Sequence, residues 1–141
     1  MNALGSPGFR ERLCKALDEN PEFARETRWF DGSILLESGD AQCWLKVYRG
    51  RVIESFDHVP PLGYTFKIAG APERWADLVE GRRLFADLSM PGWRDFRGDP
   101  KLERANAAAP AALRIDGNLM EAARIREALY HLADCVAASA R

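Results

Sequence analysis

The feature that most constrains this chain is an alternation, in its second half, between segments suited to strand and segments suited to helix. Tyr64, Phe66 and Ile68 alternate with Thr65, Lys67 and Ala69 up to Gly70, the period-two pattern of a strand. Pro72 then opens a stretch that puts Trp75, Leu78 and Val79 on one helical side, with Gly81 as a stop. Further on, Ala112-Leu113-Arg114-Ile115-Asp116-Gly117-Asn118 leads into a long apolar-striped helix. A chain built as strand, helix, gap, strand, helix must lay those helices over a sheet. Both helices carry more apolar surface than their length requires, so function is expected in what the apolar surfaces enclose.

The first half adds the rest of the sheet. Ser6 as N-cap and Pro7 at the first helical position predict a helix over 7–19, with Phe9, Leu13, Ala16 and Leu17 on one face and a stop at Asn20-Pro21. From Phe23 the period changes to two, giving a strand-rich half over 23–70. Asp31-Gly32 reads as a turn or bulge before a strand containing Ile34, Leu35 and Leu36, and Gly39-Asp40 reads as a second turn. Cys43, Leu45 and Val47 alternate with Gln42, Trp44, Lys46 and Tyr48, and Arg49-Gly50 closes a tight hairpin into Val52-Ile53. The prolines at 60 and 61 mark a connection, because neither can donate to a ladder. Leu84, Phe85 and Leu88 suggest a further short helix.

Residues 91–110 form a long Pro-, Gly- and Ala-rich loop carrying Trp93 and Phe96, of a length that compact domains reserve for lids, binding loops or disorder. The bland reading is a loop pinned to the core by its two aromatics. A C-terminal helix over 118–138 follows from Ala122, Ile125, Leu129, Leu132 and Val136 at three-and-four spacing.

Composition narrows the function. The 141 residues suit one domain, 1–141, large enough to bury roughly 68–70% of its unfolded surface. Twenty basic and 21 acidic residues, interspersed to a net charge of −1, offer no basic stripe for nucleic acid. Cys14, Cys43 and Cys135 are far apart and without ligand spacing, which suits reduced thiols in a cytoplasmic protein. No apolar run reaches the ~18 residues of a membrane span, and the N-terminus lacks the regions of a signal peptide.

Candidate chemistry is sparse. Asp57-His58 is a conceivable base and orienter, but no G-x-S-x-G elbow or activated cysteine accompanies it; His58 is expected to be a solvated loop residue and His131 a boundary residue. No metal-ligand cluster, phosphate-binding glycine loop or paired catalytic carboxylates stand out. Neither a cofactor nor a metal is expected, and the chain is not expected to be an enzyme.

The order of these elements resembles the sterol carrier protein 2 family of lipid-binding domains. Tyr64 to Gly81 is similar to that family's extended segment entering a short helix that ends in glycine. Ala112 to Ile125, with its Gly117-Asn118 turn, is similar to its last strand and C-terminal helix, and Gln42 to Ile53 to its central strand pair. The resemblance spans about residues 23–138. It implies an α+β fold: a mostly antiparallel five-stranded sheet, helices packed on one face, and an apolar tunnel between the layers that binds a sterol, fatty acid or coenzyme A ester. Two departures are the longer stretch over 91–110 and the end at Ser139-Ala140-Arg141, which lacks the peroxisomal targeting tail of some members and suits a bacterial-type cytoplasmic protein.

Face and resemblance together assign the cavity lining to Phe66, Ile68, Trp75, Leu84, Phe85, Leu113, Ile115, Met120, Ala123 and Leu129, with Arg82, Arg83 or Arg114 meeting a carboxylate or phosphate head group. The expected partner is a lipid or other hydrophobic small molecule, with no nucleic acid and at most transient membrane contact. Two alternatives stay open. One is the same fold with a filled core, acting as a protein-interaction or homodimerisation module through an exposed Trp44 and Tyr48. The other is a small ketosteroid-isomerase-like enzyme using Asp57, Asp87 or Tyr48.

Overall fold

The structure, a computed structural model, describes residues 2–90, 99–101 and 111–141. Apart from 99–101, the predicted loop over 91–110, with Trp93 and Phe96, lies outside the described residues. A 3-10 turn (Ala3–Gly5) precedes helices α1 (Phe9–Asp18) and α2 (Pro21–Glu26). Strands β1 (Asp31–Ser38), β2 (Ala41–Tyr48) and β3 (Arg51–Phe56) follow, then β4 (Phe66–Gly70). Helices α3 (Pro72–Val79) and α4 (Phe85–Ser89) come next, and β5 (Arg114–Gly117), α5 (Leu119–Arg124) and α6 (Arg126–Ser139) complete the order.

The five strands form one sheet in the order β3-β2-β1-β4-β5. Three of its pairings are antiparallel; β1 and β4 run parallel, with Ile34 opposite Phe66 and Leu36 opposite Ile68. The sheet is therefore mixed but mostly antiparallel. A parallel pair needs a crossover, and residues 57–65 supply it over the sheet's outer face. There the Trp44 indole N–H donates to the Gly63 carbonyl at 2.9 Å, and Ser33 and Thr65 exchange hydrogen bonds.

Helices cover the opposite face. Alternation sends Ile34 and Leu36 of β1, Cys43, Leu45 and Val47 of β2, and Phe66 and Ile68 of β4 into one core with Phe9, Leu13 and Leu17 of α1, Phe23 of α2 and Leu129, Leu132 and Val136 of α6. All of these are buried. Each such side chain contributes about 1.5–3 kcal/mol relative to exposure.

Several expectations about local structure change. Asp31 and Gly32 are not a turn but the first residues of β1, opposite Tyr48 and Val47. Gly32 is there for closeness: a Cβ would stand 2.6 Å from the Thr65 hydroxyl and 2.7 Å from the Phe30 ring. Ser6 and Pro7 do not cap α1; Ser6 Oγ donates back to Ala3 O at 2.8 Å, and Gly8 at φ 77° starts the helix. Asn20-Pro21 ends one helix and also begins another. The Asn20 side chain accepts from Phe23 N at 2.9 Å with Pro21 in the first helical turn, so Phe23 is helical rather than the start of a strand. Tyr64 precedes β4 and turns to the outer face, its ring 6.0 Å from the Lys67 ammonium. The C-terminal helix is two helices, because Ile125 (φ −111°, ψ 29°) leaves helical geometry between α5 and α6. None of the described helices is long and apolar enough to cross a membrane.

Candidate functional site

Beyond the sheet's β5 edge, α4, β5, α5 and the first turns of α6 fail to close on one another. Three local devices hold this arrangement. Asp77, buried near the end of α3, receives Arg74 at 3.2 Å and Arg82 at 2.9 Å, while its carbonyl accepts from the amides of Arg82 and Arg83. This fixes the turn into α4. Leu88 of α4 is fully buried and its carbonyl accepts from Leu113 N at 2.9 Å, which ties α4 to the lead-in of β5. Gly117 then turns the chain from β5 into α5 at φ 111°, and Asn118 caps α5 by accepting from Glu121 N at 3.1 Å.

The space left is a pocket of about 210 Å³, open on one side. Phe85, Met90, Ile115, Leu119 and Leu129 give it an apolar wall, and Ala122 and Ala123 leave it room. Ser89, Arg126 and Tyr130 supply the polar groups. The volume exceeds the roughly 150 Å³ cavity known to hold benzene and falls short of the ~300 Å³ lower end for drug-sized ligands. A ring or a medium-length acyl tail suits it.

The structure divides the expected cavity residues into three groups. Phe85, Ile115, Ala123 and Leu129 line the pocket. Phe66, Ile68, Trp75 and Leu113 are 0–2% exposed and fill the space between sheet and helices, where the resemblance implies a tunnel. Trp75 also spans the layers through its indole N–H, which donates to the Glu37 carbonyl at 2.9 Å. Leu84 and Met120, 70% and 78% exposed, stand outside the lining although their neighbours Phe85 and Leu119 belong to it. The head-group candidates are also elsewhere: Arg82 pairs with Asp77 and with Glu80, Arg114 lies 4.0 Å from Asp116, and Arg83 is not among the lining residues. Arg126 and Tyr130, one helical turn apart, are not among the residues that sequence reasoning selects; their signal is the i, i+4 spacing beside Leu129.

Asp57 and His58 do face each other, with Oδ1 3.0 Å from Nδ1. This hydrogen bond holds the Asp57 carboxyl below its usual range. The His58 ring stacks on Phe56, which stacks on Trp44. Both members of the pair are exposed in the outer-face loop, and none of Asp57, Asp87 and Tyr48 lines the pocket. Trp44, expected on an exposed face, is 3% exposed because the 57–65 connection and Phe56 cover it; Tyr48 remains exposed. Among the described residues no group of three His, Cys, Asp or Glu side chains gathers to hold a metal ion.

Likeness to known proteins lies in the fold. No family profile and no curated protein sequence matches the chain. Solved structures do. The crystal structure of a sterol carrier protein 2 matches with a TM-score of 0.66 at 15% identity, over 93% of this chain and 95% of that one. The solution structure of a conserved hypothetical protein from Thermus thermophilus, described as a candidate sterol carrier protein, gives 0.61 at 16% identity over 95% and 87%. Apo sterol carrier protein 2 from Yarrowia lipolytica gives 0.50 at 15% identity over 94% and 98%. The chain has the sterol carrier protein 2-like fold.

Proposed function

We propose that this chain, acting as a single domain over 1–141 in the cytoplasm, binds a lipid or another hydrophobic small molecule without catalysis. The guest is of the sterol, fatty acid or acyl-coenzyme A class, with acyl tails fitting the volume best. The observation that carries the reading is the apolar pocket between α4, β5, α5 and α6. Its support from fold is the likeness to structures of sterol carrier protein 2.

The energetic margin is lean. A tail of about eight methylenes contributes ~6 kcal/mol at about 0.8 kcal/mol each. Against this stands a loss of at least ~4 kcal/mol in translational and rotational freedom. Binding by the tail alone is therefore weak, and polar contacts at the lip decide affinity.

The test is displacement of a fluorescent fatty acid, together with native mass spectrometry of lipids that co-purify. Ala123→Leu places a larger side chain at an exposed position of the lining. It is expected to weaken probe binding severalfold with an unchanged melting temperature. Probe binding that is absent, or indifferent to Ala123→Leu, sinks the reading.

A second reading draws on the filled layer between sheet and helices: the chain as an interaction or homodimerisation module. Sedimentation equilibrium showing a concentration-dependent dimer, with no ligand bound, favours that alternative.

A further inference from the structure

We propose that Arg126, held by Tyr130, is an anion-recognising group at the lip of the apolar pocket, so that the chain selects amphiphiles with a carboxylate or phosphate head over neutral guests of the same shape. The inference rests on the binding reading above and deepens it.

Among the described residues that line the pocket, Arg126 alone carries a charge. Other arginines are occupied: Arg124, two residues before it, pairs with Glu121 at 2.7 Å, and Arg82, away from the pocket, pairs with Asp77 at 2.9 Å. Arg126 instead donates from Nε to the Tyr130 phenol oxygen at 3.1 Å. Glu127, next in the chain, is exposed and forms no ion pair with it among the described residues. The two terminal nitrogens of the guanidinium therefore carry no protein acceptor among the described residues. They form the side of the planar fork that grips two oxygens of a carboxylate or phosphate.

Two features argue against an incidental surface arginine. Its orientation is built, because Tyr130 is set edge-on against buried Phe85 of α4 and its hydroxyl then fixes Nε. Its position is also poor for stability. Arg126 is the first residue of α6, a 14-residue helix that starts without a side-chain cap. A cation there is opposed by the positive end of the helix dipole, and an anion held on the guanidinium relieves that opposition.

The experiment uses the full chain and Nile red, a neutral probe, displaced in turn by decanoate, decyl phosphate and decanol. Wild-type protein is expected to bind the two anionic ligands about tenfold more tightly than the alcohol, the size of one charge-assisted contact. Arg126→Gln closes that gap, Arg126→Lys restores part of it, and Tyr130→Phe narrows it by releasing the guanidinium. Arg126 is exposed and opposed by the helix dipole, so its substitution should not lower the melting temperature read by circular dichroism. Which anionic head binds more tightly identifies the natural one, and either order supports the proposal. Equal affinities for acid and alcohol in the wild type, or a gap that survives Arg126→Gln, overturns it while leaving the pocket intact. A chain that binds neither Nile red nor any of the three ligands overturns the binding reading, and this inference with it.

Discussion

Phe85 meets Tyr130 edge-on, with ring centroids 6.0 Å apart and planes at 83°. Electrostatically, the ring edge of one meets the π face of the other, a geometry worth about 0.5–1.5 kcal/mol beyond buried area. The contact joins a five-residue helix, too short to persist alone, to the longest of the described helices. Phe85→Ala is expected to lower unfolding free energy by about 3 kcal/mol, as truncation of a buried aromatic does. Phe85→Leu costs less than half as much. Urea denaturation monitored by circular dichroism measures both, and a Phe85→Leu variant as stable as the wild type would show that the ring contact contributes nothing specific.

Gly117 sits at φ 111°, and a Cβ placed there would lie 2.8 Å from the Thr65 carbonyl oxygen and 2.9 Å from the Phe66 Cα. The neighbouring Asn118 amide donates to that same carbonyl at 2.8 Å. Ala at this position therefore suffers both backbone strain and a clash that cannot be relieved by rotating a side chain. Gly117→Ala is expected to cost about 2 kcal/mol or more and to shift α5 away from the pocket. A variant that melts like the wild type would mean that the β5–α5 turn adapts freely.

How much of this is legible in the sequence depends on whether the signal is local. Gly39-Asp40 and Arg49-Gly50 turn where their residue types say they should, with Arg49, Gly39 and Gly50 all at positive φ. The alternation of Cys43, Leu45 and Val47 correctly gives the inner face of β2. Sequence alone misplaces Trp44, because its cover comes from Gly63, nineteen residues away and across the sheet. The break at Ile125 has no glycine or proline to announce it, and the apolar spacing runs through it without interruption. The site is half visible for a similar reason. Periodicity identifies which side of a helix is apolar, but whether Phe66 or Ile115 meets empty space depends on how α4 settles against the β5 edge. Arg126 escapes a reading by periodicity because its role lies in the orientation imposed by Tyr130 rather than in its own sequence context.

The hydrogen bond from Trp44 Nε1 to Gly63 O anchors the crossover that makes β1 and β4 parallel. Trp44→Phe keeps an aromatic ring to stack on Phe56 but removes the donor and part of a buried ring system. Its expected cost is about 2 kcal/mol in global stability, from the lost hydrogen bond and the space left behind. Amides of residues 57–65 should exchange with deuterium faster than in the wild type, while those of β4 stay protected. Uniform acceleration across the sheet would show instead that the bond supports the whole fold.

Cys43 provides a pH signature of the core. Burial against α1 pushes its thiol up to about 12, with Cys14 adding to the effect. In the unfolded chain the thiol titrates near ~8.5. Below that value both states hold the proton and the group contributes no pH dependence. Between ~8.5 and about 12 only the unfolded state ionises, so stability falls as pH rises, by at most ~1.4 kcal/mol per unit for this group. Cys43→Val, which fills a similar volume without a titrating atom, is expected to show a shallower decline in unfolding free energy across that window and the same stability slope near neutral pH. The same burial makes Cys43 resistant to iodoacetamide in the native state and reactive once urea unfolds the chain, because the thiolate is the attacking species. Rapid native-state labelling at Cys43, mapped by peptide mass spectrometry, would show that the sheet opens at β2 far more easily than its packing implies.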